Sequence, residues 1–277
     1  MRPDLEKALG EVRGGSPAAL ERALETLQQT VFKFSMKLCG HREDAEDTAQ
    51  ETLLRTAAEL RKFDSSQALA VWLYKVARSR CLMSRRRSKF DRHPHLSLDD
   101  VLPDRAGLEA QLASSGPGPE QRLLRKEDAG ELARAVLRIP PLYRQVLVLH
   151  DMEELSAREV AQVMGIAEGT VRVRLHRARA FLRNELALRQ RGPRKKKEGG
   201  PKPITCRALF ARLSDYIDHQ IDPGVCERLE VHLDDCRPCQ AYLASLEETI
   251  RRCRTHCPPP MKRKLQSDLR ALLKTIS

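Results

Sequence analysis

Apolar residues in this chain return every third or fourth position, and no long stretch alternates at every second one. Leu20, Leu24, Leu27, Val31, Phe34 and Leu38 form one such stripe, which stops at Gly40. Ala45, Ala49, Leu53, Ala57 and Leu60 form the next, and Leu69, Trp72, Leu73, Val76, Ala77 and Met83 a third. A period near 3.6 buries one side of a helix, whereas strands need a period of two. The chain is therefore expected to be all-α. At 277 residues it suits two or three small cores. Aromatic residues are only 4%, so Leu, Val and Ala must build those cores.

Two Pro- and Gly-rich stretches interrupt the periodicity. The first lies near 93–121 (HPHLSLDDVLPD, SSGPGPE) and reads as a flexible linker. The second, 192–203 (GPRKKKEGGPKP), reads as a basic linker. The expected domains are 1–92, 122–191 and 204–277. No apolar run approaches the length that spans a bilayer, and MRPDLEKALG carries no hydrophobic signal region. The chain is expected to be cytoplasmic with no membrane contact. Its eight cysteines are then expected as core residues, metal ligands or redox sensors rather than disulfides, with Cys39 and Cys81 in the core.

The net charge of +12 is unevenly spread. Residues 78–92 carry +6, 172–191 another +6 and 192–203 +4, leaving −4 on the remainder. Basic stripes on an otherwise slightly acidic chain point to nucleic acid; solvated faces are the alternative. Within 156–179, SAREVAQVMGIAEGTVRVRLHRAR, Ser156 and Glu159 form a Ser-x-x-Glu capping pattern. Small Ala161, then Gly165 for a turn, then β-branched Val171 match the offsets of a helix-turn-helix. Val171, Leu175 and Ala178 would face inward. Arg172, Arg174, His176 and Arg177 would face the major groove, where arginine binds guanine edges and phosphates. A plain helical hairpin with solvated arginines is the competing reading.

Five acids, Glu43, Asp44, Glu46, Asp47 and Glu51, crowd nine residues at the start of the second helix. They complement the helix dipole, yet they also repel one another, which leaves a docking surface for a basic partner as the second possibility. Near the C-terminus His232, Cys236 and Cys239 put three soft ligands within eight residues, and Cys206 can complete a tetrahedral site. Four protein ligands leave no open position, so one Zn2+ held there is structural or regulatory. The alternative is scattered thiols beside a chance histidine.

DAEDTAQET, AVWLYKVARSRCLMSRRR and IPPLYRQVLVLHDMEELSAREVAQVMGIAEGTVRVRLHRARAFLR, in that order, resemble the extracytoplasmic-function sigma factors of bacterial RNA polymerase. The resemblance covers roughly residues 10–190. It implies sigma domain 2 at 1–92, sigma domain 4 at 122–191 and no enzymatic activity. It implies core polymerase, through the β′ clamp and β subunits, and promoter DNA as partners. By position, Asp44, Glu46, Asp47, Gln50 and Glu51 would grip the clamp. Trp72, Tyr74, Arg78 and Ser79 would open and read the minus-ten element, while Arg85, Arg86 and Arg87 would hold phosphates. Thr170, Arg172, Val173, Arg174, His176 and Arg177 would read the minus-thirty-five element. Ser79 stands where the family often has Asn, and Val173 where it commonly has Ser. The linker with Asp99, Asp100 and Asp104 would thread toward the RNA exit path.

TCRALFARLSDYIDHQIDPGVCERLEVHLDDCRPCQAYL resembles the zinc-binding anti-sigma domain, a small helical bundle. That resemblance implies zinc on Cys206, His232, Cys236 and Cys239, and an intramolecular contact with the sigma domains. A last amphipathic helix with Met261, Leu265, Leu269, Leu272 and Ile276 would help to wrap them. Autoinhibition relieved by a redox or metal signal is the expected regulation. The competing function is a helix-turn-helix regulator that never binds core polymerase.

Overall fold

The computed structural model describes residues 3–13, 15–86, 96, 125–191, 209–210, 212–261, 267 and 271. Among them every regular element is helical, as expected, and there is no strand. The chain divides into two compact units. One comprises Met1–Arg92, Arg158–Ile166 and Cys257–Ser277; the other comprises His93–Ala157 and Ala167–His256.

In the first unit, α1 (Pro3–Val12), α3 (Arg42–Glu59) and α4 (Ser66–Arg86) pack around α2 (Pro17–Cys39). α2 starts cleanly because Ser16 accepts the Ala19 amide at 3.2 Å and Pro17 occupies the first turn. It stops at Gly40, which takes φ 78° and returns its amide to the Met36 carbonyl. Every residue of the predicted Leu/Val/Phe stripe on α2 is buried. Ala45, Ala49 and Leu53 of α3 are fully buried beside Thr48, Thr52 and Thr56. Cys39 and Cys81 lie on buried faces as expected, but they are joined as a disulfide, which corrects the expectation of free thiols. The reason is geometric: the end of α2 and the middle of α4 bring their Cα atoms to 5.9 Å.

The second unit contains α5 (Arg125–Arg138), α6 (Pro141–Leu147) and a π-helical turn (Val148–Met152). Leu96, inside the predicted linker, is buried and donates its amide to the Tyr143 hydroxyl. The rest of 93–121 and all of 192–203 lie outside the described residues. Along the chain α7 (Ala157–Met164) begins one residue after Ser156, and Gly165 at φ 68° ends it. α8 (Glu168–Arg191) follows and buries Val171, Leu175, Ala178 and Leu182.

The C-terminal part of this unit has its own core. α9 (Leu213–Ile217), α10 (Pro223–Asp235) and α11 (Arg237–Thr255) enclose Phe210, Leu213, Leu229, Leu233, Tyr242, Leu246 and Ile250. Phe210 meets Tyr242 edge to face at 4.8 Å. Asp222 caps α10 by accepting the Gly224 amide at 3.0 Å. Of the expected last helix, Met261 is buried, while Leu265, Leu269, Leu272 and Ile276 lie outside the described residues.

Candidate nucleic-acid interface and metal centre

α8 presents two faces. Thr170, Arg172, Arg174 and Arg177 are half-buried and Val173 is 50% exposed. His176, expected to face the groove, is covered by α9: it is 6% exposed, and its Nδ1 shares a 3.0 Å hydrogen bond with Ser214 Oγ. Burial, with Arg179 and Arg177 adding repulsion, lowers its pKa to about 4, so the imidazole is neutral.

Two further arginines of α8 carry contacts that sequence reasoning did not assign. Arg179 is fully buried. Its Nε and Nη2 donate to Asp151 of the π-helical turn, at 2.8 and 2.5 Å. Its Nη1 and Nη2 donate to Asp218, just beyond α9, at 2.8 and 2.9 Å. The guanidinium is thus clasped by two bidentate carboxylates, one on each edge. Burial alone would raise the Asp151 pKa, but the Arg179 charge and hydrogen bonds outweigh it and hold the carboxyl ionised. Four residues on, Arg183 stacks over the Tyr242 ring at 4.0 Å and donates to Ser245, both of α11. Burial pushes the Tyr242 hydroxyl up to about 12. The only advance signal was spacing: Arg172, His176, Arg179 and Arg183 recur at four, three and four residues, one straight stripe on α8.

The metal candidate sits where α10 passes into α11. Cys236 leaves helical geometry at φ −117° and ψ 86°, which turns the chain so that His232 and Cys239 converge. The ligand atoms of His232, Cys236 and Cys239 lie within 4.8 Å of one another, with His232 Nε2 3.2 Å from Cys239 Sγ. Two thiolates and an imidazole at that spacing suit tetrahedral zinc, whose bonds run roughly 2.0 to 2.3 Å. Cys206 lies outside the described residues.

In the first unit Asp44, Gln50 and Glu51 are half-buried on α3, and Asp47 is exposed. Glu46 pairs with Arg42 at 2.8 Å, and Glu51 with Arg55 at 3.1 Å and Arg80 at 3.3 Å. On α4, Trp72 is half-buried against Phe63 with ring centroids 5.4 Å apart, and Arg78 and Ser79 are half-buried. Tyr74 is not on an open face: it is 1% exposed and packs edge to face on Phe34 at 4.6 Å. It follows Leu73 on the buried seam of α4, which corrects its expected place among the base-contacting residues. Arg85 and Arg86 fall in the last turn of α4; their side chains, and Arg87 altogether, lie outside the described residues. The Pro258–Met261 segment reaches the α2–α3 surface. Arg42 donates to the Pro260 carbonyl at 3.3 Å, and the Met261 amide to Gln29 at 3.4 Å.

Comparison with known proteins accounts for these parts. The family model of sigma-70 region 2 matches residues 23–90, that of sigma-70 region 4 matches 129–182, and a zinc-finger family matches 206–240. The chain carries sigma-70 regions 2 and 4. Among its relatives, the ECF RNA polymerase sigma factor SigW of Bacillus subtilis is 28% identical over 184 residues, 66% of this chain and 96% of SigW. The ECF RNA polymerase sigma factor SigE of Mycolicibacterium smegmatis is 30% identical over 177 residues, 62% of this chain and 65% of SigE. SigM of Mycobacterium tuberculosis is 33% identical over 140 residues, half of this chain and 63% of SigM. In these terms α2–α4 belong to region 2, α8 carries the end of region 4, and the metal candidate belongs to the zinc-finger part. No described helix is long and apolar enough to cross a membrane.

Proposed function

We propose that this sigma factor directs the RNA polymerase core to promoters and is held inactive in cis by its own zinc-binding module. One observation supports the cis regulation: Ser214 of α9, Asp218 just beyond it and Ser245 of α11 hydrogen-bond to His176, Arg179 and Arg183 on the helix whose other arginines would read the promoter. The assigned role is in initiation, not catalysis. Asp44, Glu46, Asp47, Gln50 and Glu51 would dock on the β′ clamp, with the β subunit as a further contact. Trp72, Arg78 and Ser79 would capture unstacked minus-ten bases, and Arg85, Arg86 and Arg87 would hold phosphates. Thr170, Arg172, Val173, Arg174 and Arg177 would read the minus-thirty-five element.

His232, Cys236 and Cys239, with Cys206, would hold one Zn2+. That ion, when bound, cross-links the α10–α11 junction to the start of the module. The Pro258–Met261 segment lies on Arg42, the partner of Glu46, so the C-terminal end would also compete for the clamp-docking acids. Release would follow loss of the site's ligands. Peroxide would take two electrons from a pair of these thiolates, leaving a disulfide and water, and only two ligands would remain. Withdrawal of the metal would act the same way. The proposed boundaries are domain 2 at 1–92, domain 4 at 122–191 and the module at 204–277.

The test is binding of core polymerase by the full chain and by a chain ending at Arg191, with zinc present. Stronger binding by the shorter chain supports inhibition in cis. Binding by neither moves the helix-turn-helix regulator ahead, and equal binding leaves a sigma factor without cis inhibition.

A further inference from the structure

The stripe Arg172, His176, Arg179 and Arg183 meets the module through oxygens. Ser214 takes His176, Asp218 takes the outer edge of Arg179, and Ser245 takes Arg183. Asp215, one turn before Asp218, lies among Arg212 and Arg172, and its Oδ2 is 3.7 Å from Arg212 Nε. Arg172 Nε is buried with no hydrogen-bond partner of its own. Asp218 therefore holds Arg179 directly, while Asp215 lies within electrostatic reach of Arg172, which stands seven residues earlier on α8, roughly 10 Å along its axis.

The two edges of Arg179 are not equivalent. Asp151 belongs to the π-helical turn between α6 and α7, so the inner edge is filled whether or not the module is seated. Among the described residues the outer edge, Nη1 and Nη2, is filled from the module by Asp218 and, at 3.5 Å, by the Ser214 carbonyl, with His150 Nδ1 a further neighbour of Nη2 at 3.4 Å. Removing the module leaves a rigid, charged fork with two N–H groups pointing outward. A fork of that shape binds carboxylate and phosphate equally well. It would open on the helix whose neighbouring arginines, 172, 174 and 177, already favour a polyanion.

We propose that Asp215 and Asp218 occupy the places of DNA phosphates on α8, and that Arg172 and the outer edge of Arg179 are phosphate contacts uncovered when the module leaves. The proposal rests on the sigma reading of α8 and adds a partner-specific regulation to it. Duplex DNA and the module exclude one another, so DNA itself helps to dislodge the module. By reciprocity, whatever loosens the module raises DNA affinity by the same factor. Asp215 is carried on α9 and Asp218 caps its C-terminal end.

The experiment uses the full zinc-loaded chain and a 25-base-pair duplex of unselected sequence. Amide exchange over residues 213–222 is followed by mass spectrometry with and without saturating duplex. Exchange at least tenfold faster with DNA bound is expected; unchanged protection at saturation overturns the proposal. In parallel, duplex affinity is measured across a salt series for the native chain and for Asp215→Asn/Asp218→Asn, an isosteric pair whose zinc content reports intact folding. The variant is expected to bind at least tenfold more tightly, with a salt slope steeper by about one to two, as one or two more phosphate contacts predict. Equal affinity and slope refute it. If neither protein binds duplex the proposal fails, and core-polymerase binding by the same two proteins shows separately whether the sigma reading fails with it.

Discussion

Acidification should unseat the C-terminal module before it unfolds anything else, and His176 sets the range. The imidazole is neutral in the closed state, with its pKa lowered to about 4 by burial and by Arg179 and Arg177. Once α9 lifts away, burial, the largest cause, is relieved and the ring moves back toward its ordinary value near 6.5. A depressed pKa means that the closed state binds fewer protons than the open one. Its contribution is therefore complete above pH 6.5 and is lost as the pH falls through 4. Between pH 7.5 and 4.5 the difference amounts to at most about 2.5 kcal/mol, or roughly seventyfold in the opening equilibrium, for a full return to 6.5. Asp151 is held so low that it stays ionised across this range. Asp215, raised by burial, acts in the opposite sense and is common to both proteins compared. The assay is native-state amide exchange of residues 213–218 at the two pH values, corrected for intrinsic rates, on the native chain and on His176→Gln. The native chain should open up to about seventyfold more readily at pH 4.5, and the glutamine variant should respond far less. Equal responses, or a His176 resonance titrating near 6.5 in the closed chain, would refute the argument.

Further outcomes follow from other contacts. Arg183→Ala removes the stacking on Tyr242 and the bond to Ser245, and should weaken module seating by about 2 kcal/mol, read as faster exchange in α11. Leu53→Ala empties a fully buried site in region 2 and should cost about 3 kcal/mol in urea unfolding, followed by the fluorescence of Trp72. Cys236→Ser should lower zinc content below one per chain by metal analysis and loosen α10 and α11 together. Peptide mapping of the unreduced chain should recover Cys39 and Cys81 in one cross-linked pair, which separates on reduction.

The helices were legible because burial repeats with the helical period. The stripe on α2, the stop at Gly40 and the start of α7 after Ser156 needed only local information. The His232, Cys236 and Cys239 group was legible for the same reason, since all three fall within eight residues. What periodicity cannot tell is which neighbour covers a face. Tyr74 and His176 sit on helices whose pattern allows either an open or a covered position; Phe34 covers one and Ser214 the other. Arg179 went unassigned because its two carboxylates, Asp151 and Asp218, lie 28 and 39 residues away. The Cys39–Cys81 pair spans 42 residues and required the packing of α2 against α4.

The π-helical turn from Val148 to Met152 has a kinetic consequence. By aiming Asp151 at Arg179 it fixes the guanidinium before any partner arrives. A flexible arginine must lose rotamer freedom each time it is captured, at about 0.5 to 1.5 kcal/mol per side chain. Here that ordering is complete within region 4, so neither Asp218 nor a competing phosphate has to supply it. On the proposal above, the exchange between them would be the swap of one oxygen pair for another at a prearranged fork. Such a helix can be tested by its partners often and released quickly, while the balance between them remains steep.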